Sequence, residues 1–326
     1  MLTCIIATHS LDDLPFNDPP TRTKITHFTE VSPEIDTLFI GSSRLLRGIS
    51  PKVFDTATAE RGIKTTSYNA AQAGIQPHDY DVWIDWVLEN RPPRLTRVFI
   101  ELGEWSLGNR PATWMKDKTV DMHSPSHLHE RLWTAVNTSE NLSEFIRQTN
   151  WALAHTAVNL FNIGRGIRIF DDTLREHRNL PPDTPRNLTQ GFGPLSDRTA
   201  PAQRLAFSKQ WHAKPKKLKW LRKAKTENTI APPSNEAGFT EGFERQARRL
   251  RQAGLEPIFV LPPVYSKIPG RSRLLEIRSV ARVFELDRPT TYPELYDTKH
   301  WFDAQHLRES GAIIFSSQLA AEFAAN

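Results

Sequence analysis

One serine near the start of the sequence stands at a position suited to a nucleophile. Ser43 follows the apolar run at residues 37–40 and the turn residues Gly41 and Ser42. Open α/β sheets place ligands at the carboxyl ends of their strands, where the N–H groups and positive dipole end of a following helix face the ligand. A serine at such a turn is a candidate for attack on an ester carbon. The alternative interpretation is that the turn only caps the helix that follows it.

A carboxylate and an imidazole stand three residues apart near the other end of the sequence. On a turn that enters a helix, the carboxylate of Asp303 can reach Nδ1–H of His306, which leaves Nε2 free to take a proton from a serine. The alternative is that Asp303 caps the final helix and His306 packs on its first turn. His300 is a competing base, and it is less favoured because Asp297, three residues before it, belongs to a less clearly placed segment.

The elements that must position these residues alternate in type along the sequence. Short apolar runs bounded by turn residues are separated by helical patterns, which predicts a parallel α/β fold. The predicted strands cover residues 37–40, 64–68, 97–102 and 257–261. The predicted helices lie around residues 80–88, around 239–250, and from 306 onward. Strands that alternate with helices in this order bring their carboxyl ends, and so Ser43, to one edge of a sheet.

About 150 residues separate the third and fourth predicted strands, far more than one crossover helix requires. We therefore predict an insertion at about residues 105–234. Its first half, residues 125–172, has helical patterning, and its proline-rich second half, residues 178–234, is typical of a loop. We expect the insertion to cover the active-site edge of the sheet as a lid, and the alternative is a decoration on the far side. Residues 1–34 are an N-terminal extension of a domain at residues 35–326.

Composition limits the classes of partner. The 326 residues carry 42 basic and 37 acidic side chains, a net charge of +5 that does not by itself indicate nucleic-acid binding. The lysine-rich run at residues 209–225 is typical of a solvated face, although an anionic membrane or polyanion is the alternative. The single cysteine, Cys4, excludes an intramolecular disulfide framework. The spacing of the 11 histidines indicates neither a metal site nor any other cofactor.

The start of the sequence bears on location. No run approaches the roughly 18 apolar residues needed to span a bilayer, and the apolar stretch at residues 2–7 is too short for a signal peptide. Taken literally, the sequence predicts a cytoplasmic protein. The alternative is a periplasmic or envelope location, if Met1 lies inside a longer gene product.

Three short blocks together resemble the SGNH (GDSL-type) hydrolase superfamily in its Gly-Ser-Ser variant. They are Ile40-Gly41-Ser42-Ser43-Arg44, Tyr68-Asn69-Ala70-Ala71-Gln72-Ala73-Gly74 and Asp303-Ala304-Gln305-His306-Leu307. The resemblance implies a flavodoxin-like three-layer α/β/α sandwich with a large insertion after strand three. It makes Ser43 rather than Ser42 the nucleophile, with His306 as base and Asp303 as its orienting acid. It also implies that the backbone N–H of Gly74 contributes to an oxyanion hole.

A fourth block departs from the family pattern. The family's Gly-x-Asn-Asp block places an oxyanion-binding asparagine two residues after its glycine, whereas this sequence has Trp105 two residues after Gly103. The indole N–H of Trp105 is a bulky candidate donor, and Asn69 or Asn109 can substitute only if the fold brings either close. Loss of one oxyanion donor typically costs about 10²–10³ in kcat, so the change weakens catalysis without abolishing it.

The resemblance implies serine-dependent ester hydrolysis or acyl transfer, on an acylated carbohydrate or a similar small ester. Water as the acyl acceptor gives an esterase, and a sugar hydroxyl gives an O-acyltransferase. The alternative, suggested by Trp105 and the large insertion, is a non-catalytic domain of the same fold that binds a glycan or a protein partner.

Overall fold

The computed structural model describes residues 19–103, 123, 125–139, 141–161, 190–197, 200, 202–213, 237–265 and 274–325. The chain divides into two compact units. Residues 28–105 and 187–326 form a sheet unit, and residues 1–27 and 106–186 form a helical unit. Ser43, Asn69, Gly74, Asp303 and His306 fall in the sheet unit.

The described elements follow one another in an alternating order. In the first part of the chain they are α1 (Pro19–Val31), β1 (Thr37–Ile40), α2 (Ser43–Gly48), α3 (Pro51–Ala59), β2 (Ser67–Asn69), α4 (Tyr80–Asn90) and β3 (Arg97–Glu101). The helical unit contributes α5 (Leu128–Thr138) and α6 (Leu142–Leu160). The sheet unit continues with α7 (Ala202–His212), α8 (Ala237–Gln252), β4 (Glu256–Leu261), β5 (Arg282–Glu285) and α9 (Glu309–Ala325).

The described strands form one parallel sheet in the order β2-β1-β3-β4-β5. This is the flavodoxin-like order, with its topological switch point between β1 and β3. The predicted three-layer α/β fold is confirmed. Strands β1, β3 and β4 lie within a residue of their predicted bounds, β2 begins three residues later than predicted, and β5 was not predicted.

Alternating strand residues pack helices onto the two faces of the sheet. On one face, Phe39 and Phe99 stack at 4.8 Å between ring centroids, and Phe323 of α9 lies 5.5 Å from Phe99. On the other face, Phe243 of α8 lies 5.6 Å from Phe259. These rings are almost completely buried, and burying each contributes roughly 1.5–3 kcal/mol. The packing fixes β1 and β3 as neighbours and so fixes the edge at which their carboxyl ends meet.

One prediction about the second half of the insertion is wrong. The loop predicted over residues 178–234 contains helix α7, whose Ser208 and Trp211 are buried. The proline count indicated a loop, but α7 lies between the prolines and is stabilised by packing rather than by a strong apolar stripe. The final helix, predicted to start near His306, begins three residues later at Glu309.

The helical unit contains helices where the sequence of the first half of the insertion predicts them. Helices α5 and α6 together cover most of residues 128–160, while the rest of the predicted stretch, residues 162–172, lies outside the described residues. Among the described helices, none combines the length and the apolar character that crossing a membrane requires.

Candidate active site

The turn between β1 and α2, residues 41–44, carries the predicted nucleophile and is called the serine turn here. Ser42 is the N-cap of α2, since its Oγ accepts the N–H of Arg44 at 3.2 Å. Ser43 is therefore the first residue of the helix, where helical geometry leaves the N–H groups without partners inside the helix. The cap interpretation of this turn and the nucleophile interpretation are thus both compatible with the fold, because they fall on different serines.

A buried carboxylate on β3 holds the serine turn. Glu101 is fully buried, and it accepts the N–H of Ser42 at 2.8 Å, the Oγ–H of Ser42 at 2.8 Å and an ion-paired Nη2 of Arg44 at 2.6 Å. A Cβ at Gly41 would lie 2.7 Å from Oε2 of Glu101, so this close approach requires glycine. Glu101 was not predicted as a site residue from the sequence. Its signal was a charged residue at the end of an otherwise apolar strand, with Arg44 beside the serine as its partner.

The structure brings Ser43, His306 and Asp303 together. Oγ of Ser43 lies 2.9 Å from Nε2 of His306, and Nδ1 of His306 lies 2.8 and 2.9 Å from the two carboxylate oxygens of Asp303. An ionised carboxylate only accepts hydrogen bonds, so Nδ1 carries the proton and Nε2 accepts from the Ser43 hydroxyl. Asp303 and His306 are 6% and 9% exposed, while Ser43 is half-buried. The arrangement is that of a serine nucleophile with an oriented general base.

Residues 301–307, called the acid–base turn here, are shaped largely by their own hydrogen bonds. Oδ1 of Asp303 accepts the N–H of Gln305 at 2.9 Å and of His306 at 3.0 Å. A bridge between Trp301 and Leu307 closes the turn. These bonds explain why the last helix does not start at His306: its N–H and that of Gln305 are held by the Asp303 side chain, and α9 begins only after the turn closes. Asp303 therefore does not cap the final helix.

Helix α7 and the segment that follows β4 form hydrogen bonds with the backbone of the acid–base turn. The hydroxyl of Ser208 donates to the carbonyl of Phe302 at 2.6 Å, and Nε2 of His212 lies 3.0 Å from the carbonyl of Trp301. From beyond β4, the N–H of Tyr265 donates to the carbonyl of Ala304 at 3.0 Å. Helix α7, which is part of the predicted insertion, therefore helps to position Asp303 and His306.

The environment of Asp303 favours its ionised form. Burial raises the pKa of its carboxyl, but the hydrogen bond and charge of His306 and the N–H groups of Gln305 and His306 outweigh burial. The pKa of Asp303 therefore lies below its ordinary value. A carboxylate that stays ionised at neutral pH can stabilise the positive charge that forms on His306 when it accepts the serine proton.

The three predicted oxyanion residues fare differently. Gly74 has φ +81°, a conformation that favours glycine, and it lies two residues beyond Gln72, whose N–H donates to the carbonyl of Gly41 at 2.8 Å. The loop that carries Gly74 therefore runs beside the serine turn. The prediction that Asn69 donates to the oxyanion is wrong, because its side-chain amide already donates both hydrogens, to the carbonyls of Leu45 and Ile49 at 2.9 and 2.8 Å. Trp105 lies outside the described residues.

His300, the competing base, forms its side-chain hydrogen bond with a serine other than Ser43. Nδ1 of His300 lies 3.0 Å from Oγ of Ser310, and no hydrogen bond joins His300 to Ser43. Asp297, its proposed acid, instead caps the short helical turn at Thr298–His300 by accepting the N–H of Lys299 at 3.1 Å. Among the described residues, no group of three or more His, Cys, Asp and Glu side chains is arranged to hold a metal ion.

Comparison with known proteins adds no family assignment to this geometry. No protein-family model matches the chain, and no curated protein sequence matches it.

Proposed function

We propose that the protein is a serine esterase or O-acyltransferase of the SGNH type that acts on an acylated carbohydrate or a similar small ester. The observation that supports the proposal is the hydrogen-bond chain from Ser43 Oγ through His306 to Asp303. A non-catalytic binding domain has no need for a 2.9 Å contact between a half-exposed serine and a buried base. The geometry therefore favours the enzyme over the binding domain.

In the first step, Oγ of Ser43 attacks the ester carbonyl carbon while its proton passes to Nε2 of His306. Asp303 holds the opposite ring nitrogen and stabilises the imidazolium. The tetrahedral intermediate collapses when Nε2–H gives its proton to the departing alcohol oxygen. The acyl group is then bonded to Ser43.

In the second step, a hydroxyl compound attacks the acyl carbon, and its proton passes to Nε2 of His306. The bond to Ser43 breaks, and Nε2–H returns the proton to Oγ. Water as the acceptor releases a carboxylic acid, and a sugar hydroxyl yields a new ester. The developing oxyanion would be stabilised by the backbone N–H groups of Ser43 and Gly74.

The test is hydrolysis of 4-nitrophenyl acetate by the purified full chain. Ser43→Ala is expected to reduce the rate to background, because no other group would form the acyl bond. Its control is the neighbouring Ser42→Ala, which removes the cap hydrogen bond, worth about 1 kcal/mol, and the hydroxyl's hydrogen bond to Glu101, worth about 1.5–3 kcal/mol. Ser42→Ala is expected to hydrolyse the ester more slowly than the wild type but still measurably, because the nucleophile and its base remain. Equal activity in the wild type and Ser43→Ala would remove Ser43 from the mechanism.

A further inference from the structure

An arginine on the helix of the nucleophile forms no ion pair with any acidic residue in the part of the chain that the structure describes. Arg47 lies four residues after Ser43 in α2, so the two side chains leave the same face of the helix. One of its nitrogens, Nη1, donates to the carbonyl of Gly193 at 2.6 Å. Within the part of the chain that the structure describes, Nε of Arg47 is buried without a hydrogen-bond partner. Part of this guanidinium is therefore directed away from solvent with its bonding capacity unused.

A second arginine comes from α7. Arg204 lies four residues before Ser208, on the same face of the helix, and Ser208 contacts Phe302 directly before Asp303. Nη1 of Arg204 is also buried, and among the described residues it has no hydrogen-bond partner. Arg47 thus lies on the helix that carries the nucleophile, and Arg204 lies on the helix that contacts the acid–base turn.

Among the described residues, no carboxylate forms an ion pair with Arg47. Burial, and after it the charge of Arg204, lowers the pKa of Arg47 to about 10. Glu101, on the strand beside α2, pairs with Arg44 at 2.6 Å, and Asp197, four residues after Gly193, pairs with Arg308 at 2.6 Å. Two cations with unused buried donors are costly unless an anion lies between them.

We propose that Arg47 and Arg204 bind an oxyanion, such as a carboxylate, on the alcohol portion of the ester that Ser43 attacks. The inference rests on the proposed function, and it narrows the substrate to an acylated acidic carbohydrate or another ester with an anionic alcohol portion. Guanidinium groups suit this role because their planar forks match the two oxygens of a carboxylate. Binding the anion would also orient the ester, since Arg47 is one helical turn from Ser43.

The first experiment compares 4-acetoxybenzoate with methyl 4-acetoxybenzoate, which share the acyl group and ring but differ in charge. Arg204→Gln and Arg47→Gln are each expected to lower the ratio of kcat/KM for 4-acetoxybenzoate to kcat/KM for the methyl ester by about 10- to 100-fold, because only the first ester carries the anion. Lys209→Gln, an exposed cation on the same helix as Arg204, controls for general charge attraction and should leave the ratio unchanged. A ratio that neither arginine variant alters overturns the subsite and leaves the proposed function standing.

A binding experiment tests the anion subsite separately from the proposed function, because it does not depend on hydrolysis. Ser43→Ala protein is titrated calorimetrically with 4-hydroxybenzoate and with its methyl ester. If adding Arg204→Gln weakens the binding of 4-hydroxybenzoate by about 10-fold or more and leaves the binding of its methyl ester unchanged, the subsite is supported. That support stands even if the wild type hydrolyses neither acetoxybenzoate ester, and the absence of hydrolysis would overturn the proposed function. Equal binding of acid and methyl ester, or binding that Arg204→Gln does not change, overturns the subsite. Nη1 of Arg204 has no hydrogen-bond partner among the described residues, and the melting temperature of Arg204→Gln is measured beside the titration to separate a loss of binding from a loss of folding.

Discussion

The serine turn and the acid–base turn meet at a single hydrogen bond but are held in place by different means. Asp303 forms its hydrogen bonds with residues two and three positions away, so the conformation around His306 is set locally, while α7 and Tyr265 hold the turn in place from outside. The serine turn depends on Glu101, which is 59 residues from Ser42 in the chain and reaches it from the neighbouring strand. The pairing of β1 with β3 is therefore a condition for placing Ser43, whereas the pairing of His306 with Asp303 is local.

The two carboxylates also differ in what their charge does. Glu101 is fully buried and balanced by Arg44, so it stabilises structure beneath the nucleophile. Asp303 faces the ring that receives the serine proton, so its charge acts on the reaction. Substitutions that remove one charge should separate these effects.

The largest expected effect comes from the base. His306→Asn should lower kcat/KM for 4-nitrophenyl acetate by about 10⁴-fold or more, because no other group takes the proton from Ser43. His300→Asn is the matched control, since both histidines are 9% exposed and lie in the same segment. It should stay within a few-fold of the wild type. Comparable losses in the two variants would contradict the assignment of His306 as the base.

A smaller effect on the reaction and a large one on stability are expected at Glu101. Glu101→Gln leaves Arg44 without its counter-charge, and breaking such a buried pair typically costs about 3–5 kcal/mol of unfolding free energy. The kcat should fall by about 10- to 100-fold as the serine turn loosens. Urea denaturation and ester hydrolysis measure the two effects.

The control for Glu101→Gln is Glu34→Gln. Glu34 pairs with Arg94 at 3.0 Å, but its side chain is 74% exposed, and such surface pairs contribute about 0–1 kcal/mol. If the two variants lose similar stability, the serine turn does not depend on the buried pair.

The smallest effect is the pH dependence that Asp303 gives to stability. Because its pKa in the folded protein lies below the ordinary value, the ionised carboxyl stabilises the fold above the unfolded-state pKa of about 3.9. That contribution is lost as the pH falls through the folded-state pKa. The difference in unfolding free energy between the wild type and Asp303→Asn should be largest near neutral pH and shrink in acid. A difference that is constant from pH 7 to pH 3 would show that the Asp303 charge does not stabilise the fold.

The contrast between local and long-range support explains what could be predicted from sequence. The strand before Ser43 and the Asp303–His306 spacing are local patterns, and both led to the observed positions. Glu101 was missed because its partners lie on another strand, and α7 was missed because its stability comes from contacts with residues 301–302 rather than from its own apolar pattern. Strand β5, residues 282–285, was missed because it is short and only its Phe284 is buried.

The most direct test of the central claim is covalent labelling by a fluorophosphonate, which reacts with an activated serine without requiring knowledge of the substrate. We expect one label per chain, located on Ser43 by peptide mass spectrometry, with labelling lost in His306→Asn and retained in His300→Asn. Labelling of a different serine, or labelling of Ser43 at the same rate with and without His306, would contradict the claim that these residues form a nucleophile and its base.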